Sequence, residues 1–162
     1  MVILIMGVAG SGKTTVGRAL TRELGWSFRD ADDFHPPANI AKMSAGQPLT
    51  DADRAPWLAA IRMQIDEHLA RDENAVIACS ALKESYRALL VADSAQVKLV
   101  HLTGDPALLV ARLAGRTDHF MGPAMLASQL AALQSPRDAF VVDIAQTPAA
   151  IVAQIRRGFG LQ

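Results

Sequence analysis

A glycine-rich segment near the N-terminus constrains the fold of this chain more than any other feature. The apolar run of residues 2–6 leads directly into Gly7-Val8-Ala9-Gly10-Ser11-Gly12-Lys13-Thr14, which has the spacing G-x-x-x-x-G-K-T. Its glycines allow a tight turn that points consecutive backbone N–H groups into one concavity, which suits phosphate oxygens. Lys13 can then reach the terminal phosphates, and the Thr14 hydroxyl can ligate Mg²⁺. The segment therefore predicts a nucleotide phosphate-binding loop (P-loop).

A glycine-rich turn that matches this spacing by chance is the alternative, and the flanking residues argue against it. The preceding run is β-type, and residues 14–24 place Val16, Leu20 and Leu24 on one helical face. A helix that begins at the loop also directs its positive N-terminal end at a bound anion. The context therefore favours nucleotide binding.

Composition excludes several other classes of protein. Lys plus Arg equal Asp plus Glu at 16 each, so no global positive charge indicates a nucleic-acid or anionic membrane partner. No apolar run approaches the roughly 18 residues of a membrane span, and the N-terminus lacks the basic leader of a signal peptide. The single cysteine, Cys79, excludes an intramolecular disulfide. We therefore expect a cytoplasmic protein that binds neither nucleic acid nor membrane.

Strand-like and helix-like patterns alternate along the chain. This alternation is typical of an α/β protein with a parallel sheet and right-handed crossovers. We expect the P-loop NTPase fold, with a five-stranded parallel sheet flanked by helices, as a single domain over residues 1–162. The predicted strands are residues 2–6, 26–29, 75–79, 97–102 and 140–142.

Two carboxylates follow the second predicted strand, at the edge where ligands bind in open α/β sheets. Asp30 and Asp32 are two residues apart and would share one face if the strand continued. One can hold a water bound to Mg²⁺, and the other can accept a hydrogen bond from an attacking hydroxyl. The alternative for one aspartate of this run is a helix cap, and we assign that role to Asp33.

Cationic side chains occur at two further places where a substrate could lie. Arg54 is at the entrance of a helix, where it can meet an anionic substrate or form a surface ion pair with Asp51 or Asp53. Asp51 or Asp53 could also cap that helix. Lys83 and Arg87 are four residues apart near the third strand, so we expect them on one helical face. A solvated helix face is the alternative reading of that pair.

A helical pattern late in the chain is interrupted by a loop and then resumes. Arg112 and Arg116 lie at the interruption, and we expect residues of about 113–134 to form a helix–loop–helix insertion. Such an insertion is typical of a mobile lid that brings positive charge over phosphates on closure. His119 can either bind substrate or brace the lid.

These features together indicate a small-molecule kinase. A signalling GTPase would be expected to carry Asn/Thr-Lys-x-Asp, which is absent from the sequence. The strand at 75–79 ends in Cys-Ser rather than in the Walker B acid of an ATP-driven machine. Asp30 can take over the support of the metal.

At the same residues the sequence resembles the gluconokinases, within the group of shikimate kinases and nucleoside-monophosphate kinases. The resemblance covers nearly the whole chain, although the first aspartate block reads Asp-Ala-Asp where the family usually has Asp-Gly-Asp. The matching blocks are the P-loop, Asp30–Pro36, Asn39–Met43, Gly46–Leu58, Cys79–Arg87, Arg116–Met121 and Ser128–Leu130.

The resemblance implies ATP-dependent phosphorylation of D-gluconate at its 6-hydroxyl, with Mg²⁺ as cofactor. Residues Gly7 to Thr15 would then bind ATP, including Val8, Ala9, Gly10, Ser11 and Gly12, with Arg112 on the adenine side. Thr14 and Asp30 would support Mg²⁺. The catalytic residues would be Lys13, Asp32 and Arg116. The substrate-binding residues would include Asp32 and His35. Because gluconate has a carboxylate, the cationic residues Arg54, Lys83 and Arg87 are our own candidates to pair with it, in addition to what the resemblance implies.

Two alternatives stay open. Another kinase of the same fold would act on shikimate or a nucleoside monophosphate. A nucleotide-switched binding module would bind ATP without a small substrate, which leaves Asp32 and the lid arginines unexplained. Family analogy also leads us to expect a homodimer.

Overall fold

Five parallel strands form the centre of the protein in the computed structural model, which describes residues 1–92, 95–115 and 123–162. The strands are β1 (Val2–Met6), β2 (Ser27–Asp30), β3 (Ala75–Ala78), β4 (Val97–Thr103) and β5 (Phe140–Asp143). Their spatial order is β2-β3-β1-β4-β5, and every neighbouring pair is parallel, which confirms the predicted sheet.

Helices cover both faces of this sheet. All five residues of β1 are fully buried because this strand is central and covered on both sides. The α-helices of the described residues are α1 (Lys13–Leu24), α2 (Pro37–Ser44), α3 (Asp51–Ala70), α4 (Glu84–Val91), α5 (Pro106–Ala114), α6 (Pro123–Ala132) and α7 (Pro148–Phe159). Ile3 and Ile5 face a core formed with α1 and α7, whereas Val2 and Leu4 face a second core formed with α3 and α4.

The ends of several helices are determined by local residues. Gly25 ends α1 in the left-handed conformation, and the Asp105 side chain caps α5 by accepting from the Ala107 N–H at 2.7 Å. The cap of α3 is Thr50 rather than Asp51 or Asp53. Asp53 instead completes a capping box, because its carboxylate accepts from the Thr50 N–H while the Thr50 hydroxyl accepts from the Asp53 N–H.

The prediction that Asp33 caps the next helix is wrong. The chain turns immediately after β2 into a short 3-10 helix, Ala31–Phe34, and the Asp30 carboxylate caps it by accepting from the Asp32 N–H. His35 and Pro36 are extended and separate Asp33 from α2, which has no side-chain cap. Asp30 is thus the cap of the 3-10 helix, and its hydrogen-bond partner lies two residues later in the sequence.

Among the described residues, no helix is both long enough and apolar enough to cross a membrane.

Candidate active site

A cavity of about 200 Å³ opens at the carboxyl ends of β1, β2 and β3. This is where ligands bind in open α/β sheets, because the loops that follow the strands converge there. The P-loop, the 3-10 helix, the start of α3 and the inner side of α6 all contribute to its wall. The cavity brings together these predicted residues: Ala9, Gly10, Gly12, Lys13, Thr14, Asp30, Asp32, His35, Arg54 and Lys83.

The P-loop has the backbone that its glycines predict. Gly10 and Gly12 have φ angles of 81° and 90°, a conformation that side-chain-bearing residues rarely adopt. The Lys13 ammonium donates to the carbonyl oxygens of Gly7 and Val8, at 3.0 and 3.1 Å. The loop therefore holds a positive charge across its own concavity, where phosphate oxygens are expected to bind.

The first residues of α1 and the end of β2 meet beside the P-loop. The Thr14 hydroxyl donates to an Asp30 carboxylate oxygen at 2.8 Å. The second oxygen of Asp30 accepts from the Asp32 N–H at 3.2 Å, so the same carboxylate orients the turn that carries Asp32 into the cavity. A hydroxyl and a carboxylate are hard oxygen donors of the kind that Mg²⁺ prefers. This arrangement fits a magnesium-nucleotide site.

Trp57 contacts the turn that carries Asp30 and Asp32 and stabilises it, a role that the sequence did not reveal. Its side chain is buried, and its indole N–H donates to the Ala31 carbonyl at 2.7 Å. Its ring stacks on the His35 imidazole, with centroids 4.6 Å apart and planes within 6°. The only signal in the sequence was that Trp57 lies in a block that matches the gluconokinases. Its contact is with a residue 26 positions away.

Lys83 enters the cavity as part of a charged cluster with Asp51 and Tyr86. Its ammonium contacts both Asp51 carboxylate oxygens at 2.7 and 2.9 Å, and the Tyr86 hydroxyl donates to the same carboxylate. The bond from Lys83 is the main cause that lowers the Asp51 pKa, and Asp51 in turn raises the Lys83 pKa. Burial, more than the bond to Asp51, raises the pKa of Tyr86. The Asp51 carboxylate therefore largely offsets the positive charge of Lys83.

Arg54 lines the cavity, and among the described residues it forms no ion pair with Asp51 or Asp53, which was the alternative to substrate binding. Its guanidinium donates to the Leu49 carbonyl at 2.7 Å. Asp53 instead binds Lys42 at 2.7 and 2.9 Å, a contact that is the main cause of its pKa falling to about 2. Because Asp51 is held by Lys83, both candidate partners of Arg54 are engaged by lysines.

The structure does not bring Arg87 into the cavity. Its buried guanidinium donates to the carbonyls of Ala81 and Leu82 at 3.0 and 2.9 Å, and burial lowers its pKa. The expected shared face with Lys83 fails because Lys83 is the N-cap of α4 and has an extended backbone. Helical spacing does not apply across that residue.

Arg112 and Gln129 approach the P-loop from the C-terminal half of the chain. Arg112 donates to the Ile144 carbonyl at 2.6 Å, and a methyl group placed on Gly12 would lie 3.8 Å from its guanidinium. Gln129, on α6, accepts from the Ala9 N–H at 2.6 Å and lines the cavity. In the sequence, the only sign of a role for Gln129 is its position in the block Ser128–Leu130 that matches the gluconokinases. Arg116 and His119 lie outside the described residues.

The fold, the P-loop and the paired aspartates define the class of this protein as a P-loop kinase of small molecules. A model of the shikimate kinase family matches residues 9–155. A gluconokinase of Gluconobacter oxydans (strain 621H) is 49% identical over 136 residues, which are 84% of this chain and 76% of that protein.

Solved structures agree with this classification. A gluconokinase from Sinorhizobium meliloti 1021 has a TM-score of 0.85 and 45% identity, over 98% of this chain and 90% of that one. An unliganded sugar kinase from Janibacter sp. HTCC2649 has a TM-score of 0.91 and 37% identity, over 99% and 94%. The chain belongs to the gluconokinase family, within the larger shikimate kinase family.

Proposed function

We propose that this protein transfers the γ-phosphoryl group of ATP to the 6-hydroxyl of D-gluconate and forms 6-phospho-D-gluconate and ADP. The observation that carries the proposal is the convergence of the P-loop, the Asp30–Asp32 turn and Arg54 on one cavity. A phosphate cradle, a carboxylate for a hydroxyl proton and a cation for an acidic substrate are the parts this reaction needs. Membership of the gluconokinase family supports the choice of substrate.

The donor side of the site consists of residues Gly7 to Thr15, with Arg112 beside Gly12. Backbone N–H groups of the loop and the Lys13 ammonium bind the phosphates of ATP. Thr14 and Asp30 would hold Mg²⁺, which would neutralise charge on the phosphates when bound. We also assign Arg116 to the transferred phosphoryl group.

On the acceptor side, Asp32 is the catalytic carboxylate. It orients the substrate hydroxyl, whose oxygen forms the new bond to the γ-phosphorus while the bond from that phosphorus to the β–γ bridging oxygen breaks. The hydroxyl proton passes to Asp32, and ADP is the leaving group. His35, Arg54 and Lys83 line the substrate part of the cavity, whereas the buried Arg87 is not included.

The first experiment combines a substrate panel with a matched pair of variants. A coupled ADP-release assay with gluconate, shikimate and AMP should give turnover with gluconate; turnover with shikimate alone would overturn the proposal. Asp32→Asn should reduce kcat by roughly 10²-fold or more while ATP binding stays nearly intact. Asp33→Asn is the control, because Asp33 carries the same charge in the same turn but does not line the cavity. Equal turnover of the two variants would remove Asp32 from its role.

The contacts of the two cations favour one of them as the partner of the substrate carboxylate. Arg54 is the stronger candidate, because Asp51 already offsets the charge of Lys83. Arg54→Met should therefore raise the KM for gluconate more than Lys83→Met does, with little change in the KM for ATP. A larger effect of Lys83→Met would reverse this assignment.

Three further expectations accompany this function. We propose a single kinase domain over residues 1–162 with a lid at about 113–134, a cytoplasmic location where ATP is available, and a homodimer. Limited proteolysis with and without nucleotide tests the lid, and light scattering tests the dimer. No nucleic-acid partner is proposed, because the formal net charge is zero.

A further inference from the structure

Asn39 is a buried polar residue on α2 that lies behind the cavity wall. Only 3% of its surface is exposed. Its side-chain nitrogen donates to the Asp53 backbone carbonyl at 2.8 Å, and the same nitrogen lies 3.3 Å from Nδ1 of His35. One amide nitrogen therefore connects the start of α3 to an imidazole that lines the cavity.

The Asp53 carbonyl determines which way the Asn39 amide points. A carbonyl oxygen can only accept, so the amide nitrogen rather than the amide oxygen must face it. An amide nitrogen has two hydrogens and accepts no hydrogen bond, so it can only donate to His35. Nδ1 of His35 must therefore be the acceptor in this contact and carries no proton.

The remaining nitrogen of the ring is then the one that holds the proton. Burial, and secondarily the positive charge of Arg54, lower the pKa of His35, which favours the neutral form of the ring at pH 7. A neutral imidazole has one N–H group, which here is on Nε2. Among the described residues Nε2 has no hydrogen-bond partner, and the stack on Trp57 fixes the plane of the ring.

We propose that Asn39 is a positioning residue that holds His35 in its Nε2–H form, so that His35 donates a hydrogen bond to an oxygen of the substrate in the cavity. In this form His35 is a donor only and does not compete with Asp32 for the hydroxyl proton. The proposal rests on the proposed function for the identity of the substrate. The state of the ring itself does not depend on it.

The direct test is the tautomer of His35 in the unliganded protein. A ¹⁵N–¹H correlation spectrum of histidine-labelled protein at pH 7 distinguishes the two neutral forms and the charged form. The His35 signals, assigned by their loss in His35→Gln, should show the Nε2–H form alone. A spectrum of the Nδ1–H form, of the charged ring or of a mixture would overturn the proposal, whatever substrate the enzyme uses.

A matched pair of substitutions tests the function of the Nε2–H group. In His35→Gln the new side-chain amide nitrogen can occupy the place of Nε2, whereas the shorter side chain of His35→Asn can reproduce only Nδ1. The first variant should keep the KM for gluconate within about threefold, and the second should raise it roughly tenfold. Equal KM values, or the reverse order, would contradict a donor at Nε2.

Asn39→Asp tests the connection between the two residues. The carboxylate can accept from Nδ1–H, so the tautomer should reverse and the KM for gluconate should rise roughly tenfold, with an unchanged KM for ATP. An unchanged tautomer in the folded variant would show that Asn39 does not control the ring. Should this variant fail to fold, the wild-type spectrum and the His35 pair still decide the proposal. Absence of gluconate turnover in the wild type would instead refute the proposed function and leave the tautomer result standing.

Discussion

Trp57→Phe is the substitution that should best reveal what holds the catalytic turn. Phenylalanine keeps an aromatic ring beneath His35 but has no N–H to donate to the Ala31 carbonyl, which the indole binds at 2.7 Å. Because Ala31 is fully buried, its carbonyl would lose its partner away from water, at a cost of about 1–3 kcal/mol. The smaller ring adds about 1 kcal/mol for the space it leaves.

The free energy of unfolding should therefore fall by about 2–4 kcal/mol, which corresponds to a decrease in Tm of roughly 5–15 °C in a domain of this size. Urea denaturation followed by circular dichroism measures this difference. Trp26→Phe is a suitable control, because Trp26 is only partly buried and its indole makes no hydrogen bond to the described residues. This control substitution should lower the free energy of unfolding by no more than about 1 kcal/mol.

The same pair of variants gives a functional measurement. Ala31 directly precedes Asp32, so loosening the turn should reduce kcat in Trp57→Phe and leave it nearly unchanged in Trp26→Phe. Trp26→Phe also makes Trp57 the single tryptophan, so its fluorescence can follow gluconate binding in the cavity it lines. If Trp57→Phe lost no more stability than Trp26→Phe, the hydrogen bond from the indole to Ala31 would not be what supports the turn.

Three further predictions concern stability and reactivity. Gly17→Ala should lower the free energy of unfolding by about 1–3 kcal/mol, because its methyl would lie 2.5 Å from the Phe28 ring; a raised urea midpoint would refute the overlap. Burial raises the Cys79 pKa to about 12, so iodoacetamide at pH 8 should modify this thiol only after denaturation, as mass spectrometry can check. The bond from Lys42 lowers the Asp53 pKa from 3.8 to about 2, so its stabilising contribution is present above pH 3.8 and disappears as the pH falls towards 2. Asp53→Asn should remove that part of the acid dependence of unfolding.

The sequence predicted the sheet and the P-loop because both depend on local patterns. A run of apolar residues buried on both faces indicates a central strand, and the glycine spacing determines the loop that follows. The contact between Thr14 and Asp30 could also be predicted from the sequence. Parallel strands end at one edge of the sheet, so residues that follow β1 and β2 come together there.

Contacts between segments that are far apart in the sequence could not be predicted from local patterns. Helical spacing placed Lys83 and Arg87 on one face, but it could not show that Lys83 is a cap residue with an extended backbone or that Arg87 faces the interior. The support of the Asp30–Asp32 turn by Trp57 likewise depends on how α3 packs against the sheet. Such contacts exist only once the tertiary structure has formed.

The ion pairs around Arg54 show that tertiary packing, rather than sequence spacing, determines which charged residues are partners. Asp51 and Asp53 both precede Arg54 in the sequence, at spacings that allowed an ion pair with either of them. The fold assigns Asp51 to Lys83 and Asp53 to Lys42, so each aspartate offsets a lysine from another segment. The positive charge of Arg54 then adds to burial in lowering the pKa of His35. We expect the Arg54 guanidinium to bind the carboxylate of gluconate. The same positive charge helps to keep His35 neutral, and His35 can then donate a hydrogen bond to a hydroxyl of the substrate.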